Sequence, residues 1–248
     1  MKYRIDIERY SPEKKSYIES FYYETDSETE TVANALAFLN AKSNLKNADG
    51  QDAEPIGWEC GCMQKKCGAC AMVVNGRPAL ACDSRLSRCG KVIRLSPLKK
   101  FPVVRDLIVD RSVMFENLKT IKLYFEDNAD FGEETAGIAY EASRCLQCGC
   151  CLEVCPNFIA GGTFTGMASA VPVTRLFAEL PAEKIKELSK LYNKHIFEGC
   201  GKSLACRNIC PAKIDIEKML VNSNAAAVWK RVFRHQEGVK KWKNQDLK

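Results

Sequence analysis

Fourteen of the 248 residues are cysteine, and they fall in three groups: Cys60 to Cys89, Cys145 to Cys155, and Cys200 to Cys210. A chain of this length can bury a core without disulfide staples. Its start, Met1-Lys2-Tyr3-Arg4-Ile5-Asp6, reads as no secretory signal. Thiols kept reduced and clustered point to metal. The rest of the composition, 46% hydrophobic and 27% charged, argues against disorder, collagen-like repeats and coiled coil. No apolar run approaches the ~18 residues that a membrane span needs. A soluble protein is therefore expected, its thiols reduced on the cytoplasmic side.

In the first group, Cys62, Cys67, Cys70 and Cys82 are spaced C-x4-C-x2-C-x11-C. The x4 and x2 gaps are those of plant-type [2Fe–2S] ferredoxins. Two irons bridged by two sulfides need thiolates from two sides. A tight loop supplies three, and a strand beyond a hairpin supplies the fourth. Gly57, Gly61 and Gly68 let the backbone curl and aim N–H groups at the sulfurs. No histidine lies nearby, which excludes a Rieske centre. The competing reading is zinc, but zinc motifs normally pair two C-x2-C units. Cys60 would make the first gap x6, so Cys62 is the preferred ligand; Cys89 reads as structural.

Cys145-x2-Cys148-x2-Cys151-x3-Cys155-Pro156 is the bacterial ferredoxin run, in which the fourth cysteine serves the other cluster of a pair. A second run, Cys200-x5-Cys206-x3-Cys210-Pro211, supplies the other half. Crosswise pairing assigns Cys145, Cys148, Cys151 and Cys210 to a [4Fe–4S] cluster. Cys155, Cys200 and Cys206 are left for the other. Its fourth ligand would stand three residues after Cys200, where the chain has Ser203. A hydroxyl is a harder and weaker ligand than thiolate, so the corner iron is expected to be missing, leaving [3Fe–4S]; the alternative is Ser203 on a fourth iron. Cys60, Cys89 and Cys150 receive no cluster.

The chain divides near residue 105. Tyr3–Ile7 alternates like a half-buried strand that could pair with Tyr17–Tyr23, and Thr31–Leu39 reads as a helix on that sheet. Met72–Leu80 reads as a hairpin turning at Asn75-Gly76, and Val92–Leu95 as a last short strand. Beyond Pro97 and Pro102 the pattern becomes helical, over Asp106–Lys119, Glu134–Ser143 and Pro181–Lys194. Phe158–Ala170 has no clear assignment.

Other chemistries fail on inspection. Gly201-Lys202-Ser203 resembles the end of a P-loop, but the required upstream glycine is Ile196. No dinucleotide fingerprint or haem attachment motif occurs. His195 and His235 are isolated and read as surface or hydrogen-bonded side chains. The net charge is +6, and Lys213–Lys248 carries nine basic and four acidic residues. That tail is either an attraction to an anionic surface or a solvated end. Basic and aromatic residues do not alternate as in a nucleic-acid groove, so no nucleic-acid partner is expected.

Taken with Cys67-Gly68-Ala69-Cys70, Asn75-Gly76-Arg77, Leu80-Ala81-Cys82 and Phe101-Pro102-Val103-Val104-Arg105-Asp106-Leu107, these motifs resemble the iron–sulfur subunit of the succinate dehydrogenase and quinol:fumarate reductase family. The resemblance implies an α+β chain: an N-terminal β-grasp plant-type [2Fe–2S] domain over residues 1–105, then an all-helical dicluster ferredoxin-like domain over 106–248. It implies an electron-transfer subunit with no substrate-converting site of its own. Its partners would be an FAD-bearing flavoprotein acting on succinate or fumarate and a quinone-binding membrane anchor, placing the chain peripherally on the cytoplasmic face of the cell membrane. Members that share in quinone binding carry Trp shortly after the Cys-Pro and His after the first ligand of the last group. Here Ile159, Ala160 and Gly201 stand at those places. The chain therefore looks like the branch whose anchor is a dihaem cytochrome b that binds quinone itself.

Overall fold

The computed structural model describes residues 1–11, 15–124, 133–180 and 182–229. Strand β1 (Lys2–Ser11) alternates as its sequence requires, with Tyr3, Ile5, Ile7 and Arg9 inward. It pairs antiparallel with β2 (Lys15–Glu24) along its whole length. Helix α1 (Val32–Asn40) starts at Thr31, whose hydroxyl accepts the Asn34 N–H at 3.2 Å, and buries Val32, Ala35, Leu36 and Leu39. Strands β3 (Ala71–Val74) and β4 (Arg77–Leu80) form the expected hairpin. Asn75 and Gly76 both have positive φ, +49° and +80°, as a type I′ turn demands. After the short helix α2 (Leu86–Cys89), strand β5 (Val92–Ser96) enters the sheet parallel to β1 and antiparallel to β3, giving the order β2-β1-β5-β3-β4.

The expected helix from Asp106 does not form there. Strands β6 (Val103–Arg105) and β7 (Ile108–Val109) make a small hairpin that straddles residue 105. Asp106 sits in its turn at φ +49°, 2% exposed. Its carboxylate meets Arg9 Nε at 2.9 Å and accepts the N–H groups of Tyr10 (3.0 Å) and Gly57 (2.7 Å). Arg9, also 2% exposed, further pairs with Glu19 at 2.8 Å and donates to the carbonyls of Glu54 and Pro55. A carboxylate committed to a buried cation and two backbone donors fixes its own turn and overrides the helical pattern. The same bonds tie the segment leading into the first cysteine loop to β1.

Helix α3 (Ser112–Thr120) follows, then α4 (Glu133–Ser143) and the single turn α5 (Cys150–Glu153). The unassigned Gly/Ala/Thr-rich stretch ends in α6 (Met167–Glu179), the longest helix among the described residues. It packs against α4 and against α8 (Ile216–Asn224), which comes after α7 (Ala182–Tyr192) and a π-type turn at Asn193–Phe197. Periodicity alone missed α6 because nine of its thirteen residues are buried, so no polar face marks it. It also contains Pro172, which reads as a helix breaker. Pro181, His235 and the tail from residue 230 lie outside the described residues.

The two halves share one core. Leu98 and Phe101 pack with Cys148, Cys150, Leu152 and Phe158 from the later half, and the Phe101 and Phe158 rings are 5.9 Å apart. Lys100 reaches across to donate to the carbonyls of Cys155 and Phe158. A second core, around Val171, Leu176, Tyr192, Ile214 and Met219, supports α6, α7 and α8.

Candidate metal centres

The β3–β4 hairpin delivers the last two thiols of the first group. Cys70 precedes β3 and Cys82 lies in the helical turn after β4, and their sulfurs are 3.4 Å apart. Cys62 and Cys67 come from the irregular loop before them, which curls through positive φ at Met63, Lys65 and Gly68. Backbone N–H groups converge on these sulfurs. Gln64 and Lys66 donate to Cys62 at 3.3 and 3.2 Å, Cys62 donates to Cys67 at 3.5 Å, and Lys65 donates to Cys82 at 3.3 Å. The N–H groups of Gln64 and Lys66 hold the Cys62 thiol down at about 7, while burial pushes Cys70 up to about 12. Cys60 is exposed, and among the described residues no such donor reaches its sulfur. N–H donors on three of the four sulfurs, those of Cys62, Cys67 and Cys82, suit an anionic cluster, whose thiolate charge they stabilise.

Cys145, Cys148, Cys151 and Cys210 line one small cavity, walled by Leu146, Met167, Ala168, Val171, Ile214 and Ile216. Three of the thiols come from the curl at residues 145–151, where Gln147 (+49°) and Gly149 (+86°) adopt positive φ. The fourth arrives from beyond α7 on the Cys210-Pro211 turn. Burial pushes Cys145 up to about 11 and Cys151 well above its ordinary value. Free thiolates at Cys145 and Cys151 are disfavoured in such a cavity, so positive metal charge is what would keep those two sulfurs ionised. Cys150, unassigned from the sequence, is fully buried and donates to the Cys148 sulfur, holding that thiol down at about 7.

Pro172 has a part in this site. Lacking an N–H, it leaves the Ala168 carbonyl without its helical partner. The Gln147 amide takes that place, donating to Ala168 O at 2.8 Å and to Cys145 Sγ at 3.2 Å. This function of Gln147 had no signal in the sequence, since it depends on a proline about one helical turn past the start of α6.

Cys155, Cys200 and Cys206 form the third set. Burial pushes Cys206 up to about 11, and Cys155 and Cys200 are close enough for their charges to add to the effect. Asn157 donates to Gly199 O at 2.8 Å and so ties the Cys155 turn to the Cys200 loop. Ser203 is exposed, between Lys202 and Leu204, which both have positive φ. His195 is satisfied by Thr163 O at 3.0 Å, in line with its reading as a hydrogen-bonded side chain. Among the described residues no group of three His, Cys, Asp or Glu is arranged to hold a single metal ion.

Two family models match parts of the chain. A 2Fe-2S iron-sulfur cluster binding domain model matches residues 4–116, and a 4Fe-4S dicluster domain model matches residues 141–214. The succinate dehydrogenase iron-sulfur subunit of Bacillus subtilis is 37% identical over 199 residues, covering 76% of this chain and 78% of that protein. The fumarate reductase iron-sulfur subunit of Escherichia coli is 28% identical over 223 residues, 86% and 87% of the two chains. A chain of the Mycobacterium smegmatis Sdh1 complex shares the fold, with a TM-score of 0.74 at 20% identity over 96% of this chain and 99% of its own.

Proposed function

Since the chain belongs to the family of succinate dehydrogenase and fumarate reductase iron–sulfur subunits, we propose that it carries electrons between a flavoprotein and a quinone-binding membrane anchor through three clusters. It is an electron-transfer subunit of an oxidoreductase, and the conversion of substrate belongs to another subunit. The ligands are Cys62, Cys67, Cys70 and Cys82 for [2Fe–2S], and Cys145, Cys148, Cys151 and Cys210 for [4Fe–4S]. Cys155, Cys200 and Cys206 hold [3Fe–4S]. When bound, the clusters supply one-electron redox steps. The chain's own residues hold them: the N–H cradle orients the first, the apolar cavity excludes water from the second, and the Asn157 tie joins the two loops of the third.

The observation that carries this reading is the cavity lined by Cys145, Cys148, Cys151 and Cys210. A shared cluster accounts for a fourth thiol brought from so far along the chain into a largely apolar wall. Residues 1–105 are read as the β-grasp domain that faces the FAD-bearing flavoprotein, and 106–248 as the helical dicluster domain that faces the anchor. Ile159, Ala160 and Gly201 in the quinone-contact places support a dihaem cytochrome b anchor that binds quinone itself. No helix among the described residues is long and apolar enough to cross a membrane. The chain is read as a peripheral subunit on the cytoplasmic face.

Iron and acid-labile sulfide analysis, with electron paramagnetic resonance (EPR), tests the reading. It predicts about nine iron atoms per chain, a [3Fe–4S] signal when oxidised and a [2Fe–2S] signal when reduced. Iron without labile sulfide, or zinc in its place, would refute it.

A further inference from the structure

The loops of the first two centres meet at one point. A Cβ on Gly68, which has φ +75°, would stand 2.6 Å from the Leu146 carbonyl oxygen and 3.0 Å from Cys148 Cβ. Only glycine lets these two backbones touch with no side chain between them. One side chain grips this junction from outside. Arg111, immediately before α3, donates from Nη1 to Gly68 O at 3.1 Å and from Nη2 to Ala69 O at 3.1 Å. The Glu59 carboxylate pairs with the same Nη2. The Arg111 side chain is only 16% exposed. Its planar fork matches two successive carbonyls in a way that a lysine ammonium cannot.

We propose that Arg111 is the positioning residue of the junction between the binuclear and tetranuclear centres. It holds the Gly68–Ala69 backbone against the Leu146–Cys148 loop, sets the gap an electron crosses, and raises the reduction potential of both centres. The proposal rests on the ligand assignment above. Arg111 exchanges no atoms. One electron leaves the binuclear centre, which is oxidised, and enters the tetranuclear centre, which is reduced. Either centre becomes more negative on reduction, and a nearby partly buried cation stabilises that state.

EPR-monitored redox titration of the purified complex tests this in wild type, Arg111→Leu, Arg111→Lys and Gly68→Ala. Arg111→Leu lowers the reduction equilibrium constant of both centres roughly tenfold, about 59 mV for a one-electron couple. It also weakens the spin relaxation each reduced centre imposes on the other. Arg111→Lys retains the charge, so both potentials stay close to wild type while the relaxation is weakened. Gly68→Ala pushes the loops apart, weakening relaxation with little change in potential. Should Arg111→Leu lose iron, Arg111→Gln gives the same reading of the potentials with a planar, uncharged donor. Unchanged potentials and relaxation in Arg111→Leu, beside normal wild-type signals, overturn the proposal alone. Equal potential losses in the Leu and Lys variants overturn the role of charge. A wild-type complex without binuclear and tetranuclear signals overturns the ligand assignment and the proposal together.

Discussion

Replacing Gln147 by leucine separates what the cluster loop needs for stability from what it needs for redox chemistry. The wild-type amide satisfies Ala168 O and donates to Cys145 Sγ, but its own Oε1 is buried without a partner. Leucine orphans the Ala168 carbonyl, costing about 1–3 kcal/mol, and removes the unpaired Oε1, recovering a similar amount. The net change in folding free energy is therefore within about 1 kcal/mol. The lost N–H···S bond is not offset. It favours the more negative, reduced cluster, and at about 0.5–1 kcal/mol its loss lowers a one-electron potential by roughly 20–40 mV. Adding Pro172→Ala to the leucine variant supplies an N–H for Ala168 O and returns about 1 kcal/mol of stability, leaving the potential low. Thermal melts of the holo complex and EPR-monitored titration of the tetranuclear signal read the two effects independently. If the double variant recovers the wild-type potential, or Gln147→Leu leaves it unmoved, the assignment of the amide to Cys145 is refuted.

Three further outcomes follow from other parts of the molecule. Asp106→Ala leaves Arg9 with Glu19 as its one carboxylate partner and frees the Gly57 N–H; it should destabilise the protein by about 3 kcal/mol, and calorimetry should show the loss, with visible circular dichroism showing the binuclear signal bleaching first. Ser203→Cys places a thiol in the open ligand position and should convert the oxidised [3Fe–4S] signal to an EPR-silent [4Fe–4S]; a persistent trinuclear signal would count against the crosswise ligand set. Burial raises the Cys89 thiol above its ordinary value, so its thiolate fraction at pH 8 is depressed and its alkylation lags exposed Cys60 until the pH is raised; mass spectrometry of alkylated peptides over pH 7–10 would refute this if Cys89 reacted first.

The two halves of the chain differ in how legible they are. In the first, Tyr3–Ile7 and Tyr17–Tyr23 alternate cleanly, and β1 and β2 pair in one register over their full length. Asn75-Gly76 announces its own turn through backbone sterics, which are local. The Asp106 turn defeated the local pattern because its cause is Arg9, nearly a hundred residues away and buried with it. Likewise α6 carries no amphipathic stripe, because neighbours cover it on most sides. The thiols of the candidate centres were legible because iron imposes short, characteristic gaps on a loop. The residues that tune them were not, since Gln147 depends on Pro172, Cys150 on the fold of α5, and Arg111 on a contact between two loops.

By itself, then, the sequence carried the spacing from which the proposed donor sets and their order are read: cluster ligation constrains nearby positions along the chain, and spacing records that constraint directly. Only the tertiary structure decided how Cys210 joins Cys145, Cys148 and Cys151 in one cavity, and which backbone donors reach each sulfur. It also decided that Gly68 brings the first loop into contact with Cys148 under the grip of Arg111. Those are meetings between distant segments, set by packing and buried charge, and no local pattern of residue types encodes them.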